Sequence, residues 1–292
     1  MRISPLYPFW LLLLRQDAKF ARINLRRLAL RNKIASNLIV APGGPIVSVT
    51  TYGKRIRTAY LTLESIADGS LLPSRMILWV DEKNVLQNLP RSLRRLEERG
   101  LEIKLTANYG PHKKYYSYLE STETIDVPLV TADDDMIYPR SWLSGLKQSF
   151  TQNSGVVSCY RAHVMKIVDG QIAPYLSWSP CRSVEPSFLN FSTGVSGSIY
   201  PPAFLRKLKA AGREFTQHCP KADDVWLHVN AVRSGFAIKQ IGAQPLNFPS
   251  VPDTQEEGLY LSNAYLSQND IQIRNTYNSK DIGVLDSSLR HA

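Results

Sequence analysis

Residues 128–135 read PLVTADDD, a short apolar run that ends in three consecutive aspartates. Similar apolar, β-branched runs begin near Ile46 (IVSVTTY), Met76 (MILWVDE) and Leu101 (LEIKLTA), so the four runs start 30, 25 and 27 residues apart. Each interval has room for a helix, and one of them repeats leucine with helical spacing, at Leu86, Leu89, Leu93 and Leu96. The pattern predicts repeated βαβ units and therefore an α/β fold with a mainly parallel sheet.

Ligands of such sheets bind in the crevice beyond the carboxyl ends of the strands. The polar residues that follow these runs are Thr50, Thr51 and Tyr52 after the first, Asp81 after the second, and Asp133, Asp134 and Asp135 after the fourth. Three adjacent carboxylates repel one another, and a divalent cation relieves that repulsion. Oxygen ligands favour Mg²⁺ or Mn²⁺, which take further contacts from phosphates. The alternative is a solvated acidic turn at the start of a helix.

A turn into a helix precedes the fourth run and reads YGPHKKYY over residues 109–116. It places Lys113 and Lys114 near the crevice. Ammonium groups at the start of a helix are unfavourable for the helix itself, so an anionic partner such as a diphosphate explains them. The alternative for either lysine is a side chain that faces solvent.

A second acidic pair lies in CPKADDVWL, residues 219–227, at the amino end of an amphipathic helix that is expected to end near Gly235. Capping of the helix accounts for one aspartate of the pair, Asp223 and Asp224. The other is available as a general base for an acceptor hydroxyl. Between the two acidic clusters, Gly194 and Gly197 permit a close approach of the backbone.

Taken in order, these motifs resemble bacterial glycosyltransferases of the GT-A, nucleotide-diphospho-sugar type. The segments that carry the resemblance lie between Pro45 and Gly235 and read IVSVTTYGKR, RMILWVDE, GPHKKYYSYLE, PLVTADDDMIYPRSWL, FSTGVSGSIYPP and CPKADDVWL. The resemblance implies a GT-A-like, Rossmann-type sheet. It also implies metal-dependent transfer of a sugar, of hexosyltransferase type, to a glycan or lipid-linked acceptor in envelope or capsular polysaccharide synthesis.

The resemblance also assigns roles to residues. A DXD motif that binds Mn²⁺ or Mg²⁺ and the donor's ribose and diphosphate maps onto Asp133 and Asp135, with Asp134 between them. Thr50, Thr51, Tyr52 and Asp81 then line the nucleotide pocket. The base of inverting members maps onto Asp224, with support from Asp223. Aspartate replaces the commoner glutamate at the first position of that pair, which leaves open which aspartate faces the acceptor.

Residues 1–36 carry +7 of the formal net charge of +10, and Tyr7 to Leu14 reads YPFWLLLL. We expect a basic amphipathic helical extension over residues 1–44, which either docks on an anionic membrane surface or packs on its own domain. A catalytic domain is expected over 45–292, with a donor half of about 45–140 and an acceptor half of about 141–292. The apolar run is too short to cross a bilayer, and no nucleic-acid-binding motif accompanies the charge.

Three cysteines without C-x-x-C spacing favour a reducing compartment, so we expect a cytoplasmic protein that is peripheral to the inner membrane face if the extension docks there. Two other functions fit parts of the pattern. A sugar-phosphate nucleotidyltransferase also uses strand-end aspartates, although no G-x-G-T-R loop follows the first strand. A degenerate, membrane-associated scaffold of the same fold is the alternative that is not an enzyme.

Overall fold

The computed structural model describes residues 18–252, 254 and 268–289. Within these residues the strands, β1 to β12 in chain order, are Ile46–Thr50, Arg75–Val80, Leu101–Leu105, Leu129–Ala132, Val157–Cys159, Ala162–Val164, Ile167–Val168, Gln171–Ile172, Ser179–Pro180, Asn190–Ser192, Ser198–Tyr200 and Ile238–Gln240. The α-helices, α1 to α11, are Ala18–Ile34, Ala59–Ala67, Lys83–Gln87, Arg91–Glu97, Lys113–Ser121, Trp142–Gln152, Pro202–Ala210, Phe215–His218, Asp223–Arg233, Gln268–Thr276 and Ser279–Leu289.

A seven-stranded sheet organises the protein, with the spatial order β12-β5-β11-β4-β1-β2-β3. Strands β4, β1, β2 and β3 are parallel to one another, as are β5 and β12, and β11 runs antiparallel to both of its neighbours. The prediction of an α/β fold with a mainly parallel sheet is confirmed. The four predicted runs are β1 to β4; β1, β2 and β4 are buried hydrophobic stretches in a sheet covered by helices, whereas β3 lies at the edge and is mostly half-buried.

The hydrophobic core lies on both faces of the sheet. Alternate residues of the strands point to opposite faces, so Val47 and Leu78 pack with α2, α4 and α6, whereas Ile77 and Leu129 pack with α5, α7 and α9. The leucine repeat at 86–96 forms two short helices, α3 and α4, because Pro90 interrupts the helical period.

Strand β11 is a part of the sheet that the sequence pattern does not reveal. The segment of residues 190–202 reads as a loop with an edge strand, yet Ser198–Tyr200 is hydrogen-bonded to β4 on one side and to β5 on the other. The strand Asn190–Ser192 belongs to a separate three-stranded sheet with β6 and β9. Residues 141–292 are therefore joined to residues 45–140 through one continuous sheet.

The described part of the basic extension, helix α1, packs on the domain that follows it. Leu28 is fully buried in a small apolar cluster, and the fully buried carboxylate of Glu64 accepts hydrogen bonds from Arg31 Nε at 3.1 Å, Asn32 Nδ2 at 3.0 Å and Arg99 Nη1 at 2.5 Å. Of the two arrangements expected for this helix, the structure thus shows packing on its own domain.

The apolar run of Tyr7 to Leu14 lies outside the described residues. Among the helices that are described, none combines the length and the apolar character needed to cross a membrane. The Pro- and Gly-rich segment 37–45 packs along the domain, where the Ile39 N–H donates to the Arg99 carbonyl at 3.0 Å. The domain boundary at 44/45 stays a prediction.

Candidate active site

The predicted site residues meet at the carboxyl ends of β1, β2 and β4. These strands are neighbours in the sheet, so the polar residues that follow them lie side by side. The amino ends of α5 and α9 reach the same edge of the sheet, and each carries two of the predicted side chains. Ion pairs connect α5 with the ends of β2 and β4 and with the start of α9.

Lys113 pairs with the acid that follows β2. Its Nζ lies 2.7 Å from Asp81 Oδ2, and the two side chains are 4% and 10% exposed. The hydrogen bond fixes the start of α5 against the end of β2. Lys113 is therefore a partner of a protein carboxylate, and the prediction that it faces the diphosphate of a donor stays a prediction.

Lys114 connects the two acidic clusters. Its Nζ donates a hydrogen bond to Asp133 Oδ1 at 3.0 Å. It also forms an ion pair with Asp223 Oδ2 at 2.9 Å, whose geometry does not meet that of a hydrogen bond. Burial disfavours the charge of this lysine, but the negative charges of Asp133, Asp223 and Asp224 outweigh burial and raise its pKa well above the usual value. Lys114 is thus a buried ammonium held between the strand end at Asp133 and the helix start at Asp223.

Arg55 is a functional candidate that the sequence reasoning missed. Its Nη1 lies 3.1 Å from both Asp134 Oδ1 and Asp135 Oδ2, and its Nη2 donates to the Thr254 carbonyl at 2.8 Å. The guanidinium also lies over the ring of Tyr52, 5.2 Å from its centroid. The signal in the sequence is weak, because Arg55 is one of several cations in the segment GKRIR directly after the first strand.

The three aspartates of the triplet differ in accessibility. The side chain of Asp133 is 29% exposed, whereas those of Asp134 and Asp135 are 4% and 6% exposed beside Arg55. Burial raises the pKa of Asp134, and the Arg55 guanidinium and Thr51 hydroxyl oppose that rise. Thr51 is also buried. Of the triplet, therefore, only Asp133 offers much surface to a ligand.

Asp224 faces the loop between β10 and β11. Its Oδ1 accepts the N–H of Gly194 at 3.1 Å, and a Cβ atom at Gly194 would lie 3.0 Å from that oxygen and 3.0 Å from Lys114 Nζ. The expectation of a close backbone approach at Gly194 is therefore met. Burial raises the pKa of Asp224, and the negative charge of Asp223 adds to the rise. A carboxylate with a raised pKa is suited to accept a proton near neutral pH.

The site has more negative than positive groups. Five carboxylates, those of Asp81, Asp133, Asp134, Asp135 and Asp223, are paired with the three cations Arg55, Lys113 and Lys114, and the negative charge of Asp224 also acts on Lys114. Burial and the negative charge of Asp133 together raise the pKa of Asp135 to about 7, against the pull of Arg55. An anionic diphosphate is repelled by such a site unless additional positive charge accompanies it.

Of the two predicted metal ligands, Asp133 is accessible to a divalent cation that is shared with a phosphate ligand, whereas Asp135 is 6% exposed and paired with Arg55. In the described parts of the chain, no group of three or more His, Cys, Asp or Glu side chains is arranged so that it could hold a metal ion. Mg²⁺ seldom needs such a group, since it commonly takes one or two carboxylates, several waters and substrate phosphates. The negative charge of Asp133 contributes to the raised pKa of Asp135, and a bound divalent cation would relieve this repulsion.

No protein-family model matches the sequence, and no curated protein sequence matches it. Among solved structures, a mannosyltransferase from Pyrobaculum calidifontis in complex with GDP-Man and Mn²⁺ has a TM-score of 0.48 and 12% identity over 92% of this chain and 81% of that chain. The 1–349 portion of S. aureus TarS has a TM-score of 0.45 and 15% identity over 80% of this chain and 70% of that chain.

A CMP:2-keto-3-deoxy-manno-octonic acid synthetase complexed with CTP has a TM-score of 0.42 and 12% identity over 77% of this chain and 98% of that chain. Similarities at this level carry no function to the present protein.

Proposed function

We propose that this protein is a glycosyltransferase of GT-A type that transfers a sugar from a nucleotide-diphospho-sugar to a hydroxyl of a glycan or lipid-linked acceptor. The observation that carries the proposal is the meeting of two acidic clusters around one buried lysine, at the strand ends where α/β sheets bind ligands. We assign the donor to the side formed by residues 45–140 and the acceptor to the side formed by 141–292.

On the donor side, Thr50, Tyr52 and Asp81 line the nucleotide pocket with Thr51 behind them, and Asp133 and Asp134 contribute to ribose and diphosphate binding. Asp133 and Asp135 would hold Mn²⁺ or Mg²⁺, which when bound supplies positive charge to the leaving nucleoside diphosphate. Lys113 and Lys114 orient Asp81 and Asp133 through the ion pairs already described and add positive charge on the same side.

On the acceptor side, Asp224 removes the proton of the attacking hydroxyl. The acceptor oxygen forms the new bond to the anomeric carbon, while the bond from that carbon to the diphosphate oxygen breaks and its electron pair leaves with the nucleoside diphosphate. Asp223 supports this step, because its charge raises the pKa of Asp224. Attack opposite the leaving group gives inversion, and a hexose is the proposed sugar.

The proposed setting is the cytoplasm, at the inner face of the membrane, in the synthesis of envelope or capsular polysaccharide. The charge of +7 within residues 1–36 supports an anionic membrane surface as a partner. The three cysteines are free and buried, a state compatible with a reducing compartment.

The test is release of free nucleotide from a panel of nucleotide sugars with Mn²⁺ and short glycan acceptors. Asp224→Asn should retain nucleotide binding and lose transfer, whereas Asp126→Asn, a change at an aspartate that is 76% exposed, should be active. Release of pyrophosphate from a nucleoside triphosphate and a sugar phosphate would identify a nucleotidyltransferase instead. No thermal stabilisation by any nucleotide with Mn²⁺ would favour a scaffold.

A further inference from the structure

The outer face of helix α1 is unusual because large apolar side chains form its centre. Ile23, Leu30 and Ile34 are 62%, 55% and 72% exposed, and their separations of seven and four residues place them in one stripe along the helix. Leu38, four residues beyond Ile34, is 62% exposed. The opposite face of the helix carries the buried Leu28, so this stripe is not needed to pack the helix on the domain.

Cations flank the stripe on both sides. Arg26, Arg27 and Lys33 are exposed, and their positions on the helix place them next to the line of Ile23, Leu30 and Ile34. Arg27 contacts Asp68 at 2.9 Å but its side chain is still 50% exposed. In the part of the chain that the structure describes, no ion pair involves Arg26 or Lys33.

Helices with an apolar stripe and basic flanks characteristically lie in the headgroup region of anionic bilayers. Their aliphatic side chains enter the acyl boundary, and their cations contact lipid phosphates. A second copy of this chain fits less well, because a two-fold interface would bring the cationic flanks of two helices together. The preceding sequence has the same character, since residues 1–17 hold YPFWLLLL and Arg2 and Arg15 against one acid.

We propose that the outer face of α1, formed by Ile23, Leu30 and Ile34 with Arg26 and Lys33, docks on an anionic lipid surface. This inference deepens the membrane part of the proposed function by assigning the contact to one face. Leu25 and Leu28 lie on the other side of the helix. These two leucines pack against the domain instead.

The full-length protein should sediment with vesicles of phosphatidylcholine and phosphatidylglycerol at low salt, and not with phosphatidylcholine alone. The double variant Leu30→Glu/Ile34→Glu should lower the partition coefficient at least about tenfold, as should Arg26→Glu/Lys33→Glu. The matched control is Leu176→Glu, which changes an equally exposed leucine (64%) in a distant turn and should bind as the parent protein does.

Circular dichroism should show that all variants fold, and nucleotide release with soluble acceptors should be unchanged, so failure of docking is separable from failure of the transferase proposal. Unchanged vesicle binding in Leu30→Glu/Ile34→Glu would overturn the inference and assign binding to another segment, such as residues 1–17. Absence of vesicle binding by the parent protein would also overturn the inference. So would a dimer of the parent protein that Leu30→Glu/Ile34→Glu dissociates, because the stripe would then be an interface between two copies of the chain.

Discussion

Replacement of Lys114 by methionine tests the central electrostatic feature of the site. The ammonium lies within 3.0 Å of carboxylate oxygens of Asp133 and Asp223. At an effective dielectric constant of about 20, each such contact is worth roughly 5 kcal/mol before the cost of desolvation. Asp133 is 29% exposed and Asp223 10%, so the second contact is screened less by water. Loss of one partner of a buried pair should lower the free energy of unfolding by about 3–5 kcal/mol.

Urea unfolding at neutral pH measures this change, with Arg94→Met as the control. Arg94 pairs with Glu97 at the surface, where both side chains are about half exposed, and its loss should cost at most about 0.5 kcal/mol. Adding Asp223→Asn to Lys114→Met should recover about 1–2 kcal/mol relative to the sum of the single variants, because it removes an uncompensated charge. A loss below about 1 kcal/mol for Lys114→Met, or strict additivity with Asp223→Asn, would refute the reasoning.

Three further outcomes are expected. His112 and His228 are buried, and burial lowers the pKa of each to about 4, so both should stay neutral in the fold. The stability that the neutral rings give above about pH 6.5 should be lost toward pH 4, by up to about 3 kcal/mol for each histidine. An NMR titration of either ring with a midpoint near pH 6.5 would contradict this. Gly194→Ala should reduce transfer more than nucleotide binding, since the methyl group would lie 3.0 Å from Asp224 Oδ1; equal kcat would argue against that contact. Glu64→Gln should cost about 2–4 kcal/mol in urea unfolding, because it leaves buried arginines without a carboxylate.

Most of the parallel sheet can be predicted from sequence because its signal is local. Strands at Ile46, Arg75 and Leu129 are buried on both faces, and this burial requires continuous apolar runs with turns or helices between them. The strand at Leu101 lies at the edge of the sheet and is mostly half-buried, and its apolar residues alternate with charged ones. The same locality brings Asp81 and Asp133 to one edge, since carboxyl ends of parallel strands coincide. The helix start at Asp223 is equally visible, because an acidic first turn precedes an amphipathic repeat.

The rest depends on contacts between distant parts of the chain. Arg55 reaches Asp134 across 79 residues, and Arg99 reaches Glu64 across 35, and no spacing rule selects these partners from the many charged residues available. The stripe of Ile23 and Leu30 is another case, since only the docking of α1 decides which side of the helix is outside. The sequence pattern identifies the aspartates and lysines of the site, but it misses Arg55 and does not show how these charged side chains pair.

Strand β11 has a mechanical consequence. Ser198–Tyr200 is hydrogen-bonded to β4 and to β5, and the Gly194 N–H, four residues earlier, donates to Asp224, so the end of β4 that holds Asp133 and the start of α9 that holds Asp224 are linked through one sheet. In the proposed reaction, entry of a saccharide acceptor would then rely on rearrangement of loops at this edge of the sheet rather than on separation of Asp133 from Asp224. The amide protons of Ser198, Ile199 and Tyr200 should accordingly be among the slowest to exchange with solvent, with or without substrate.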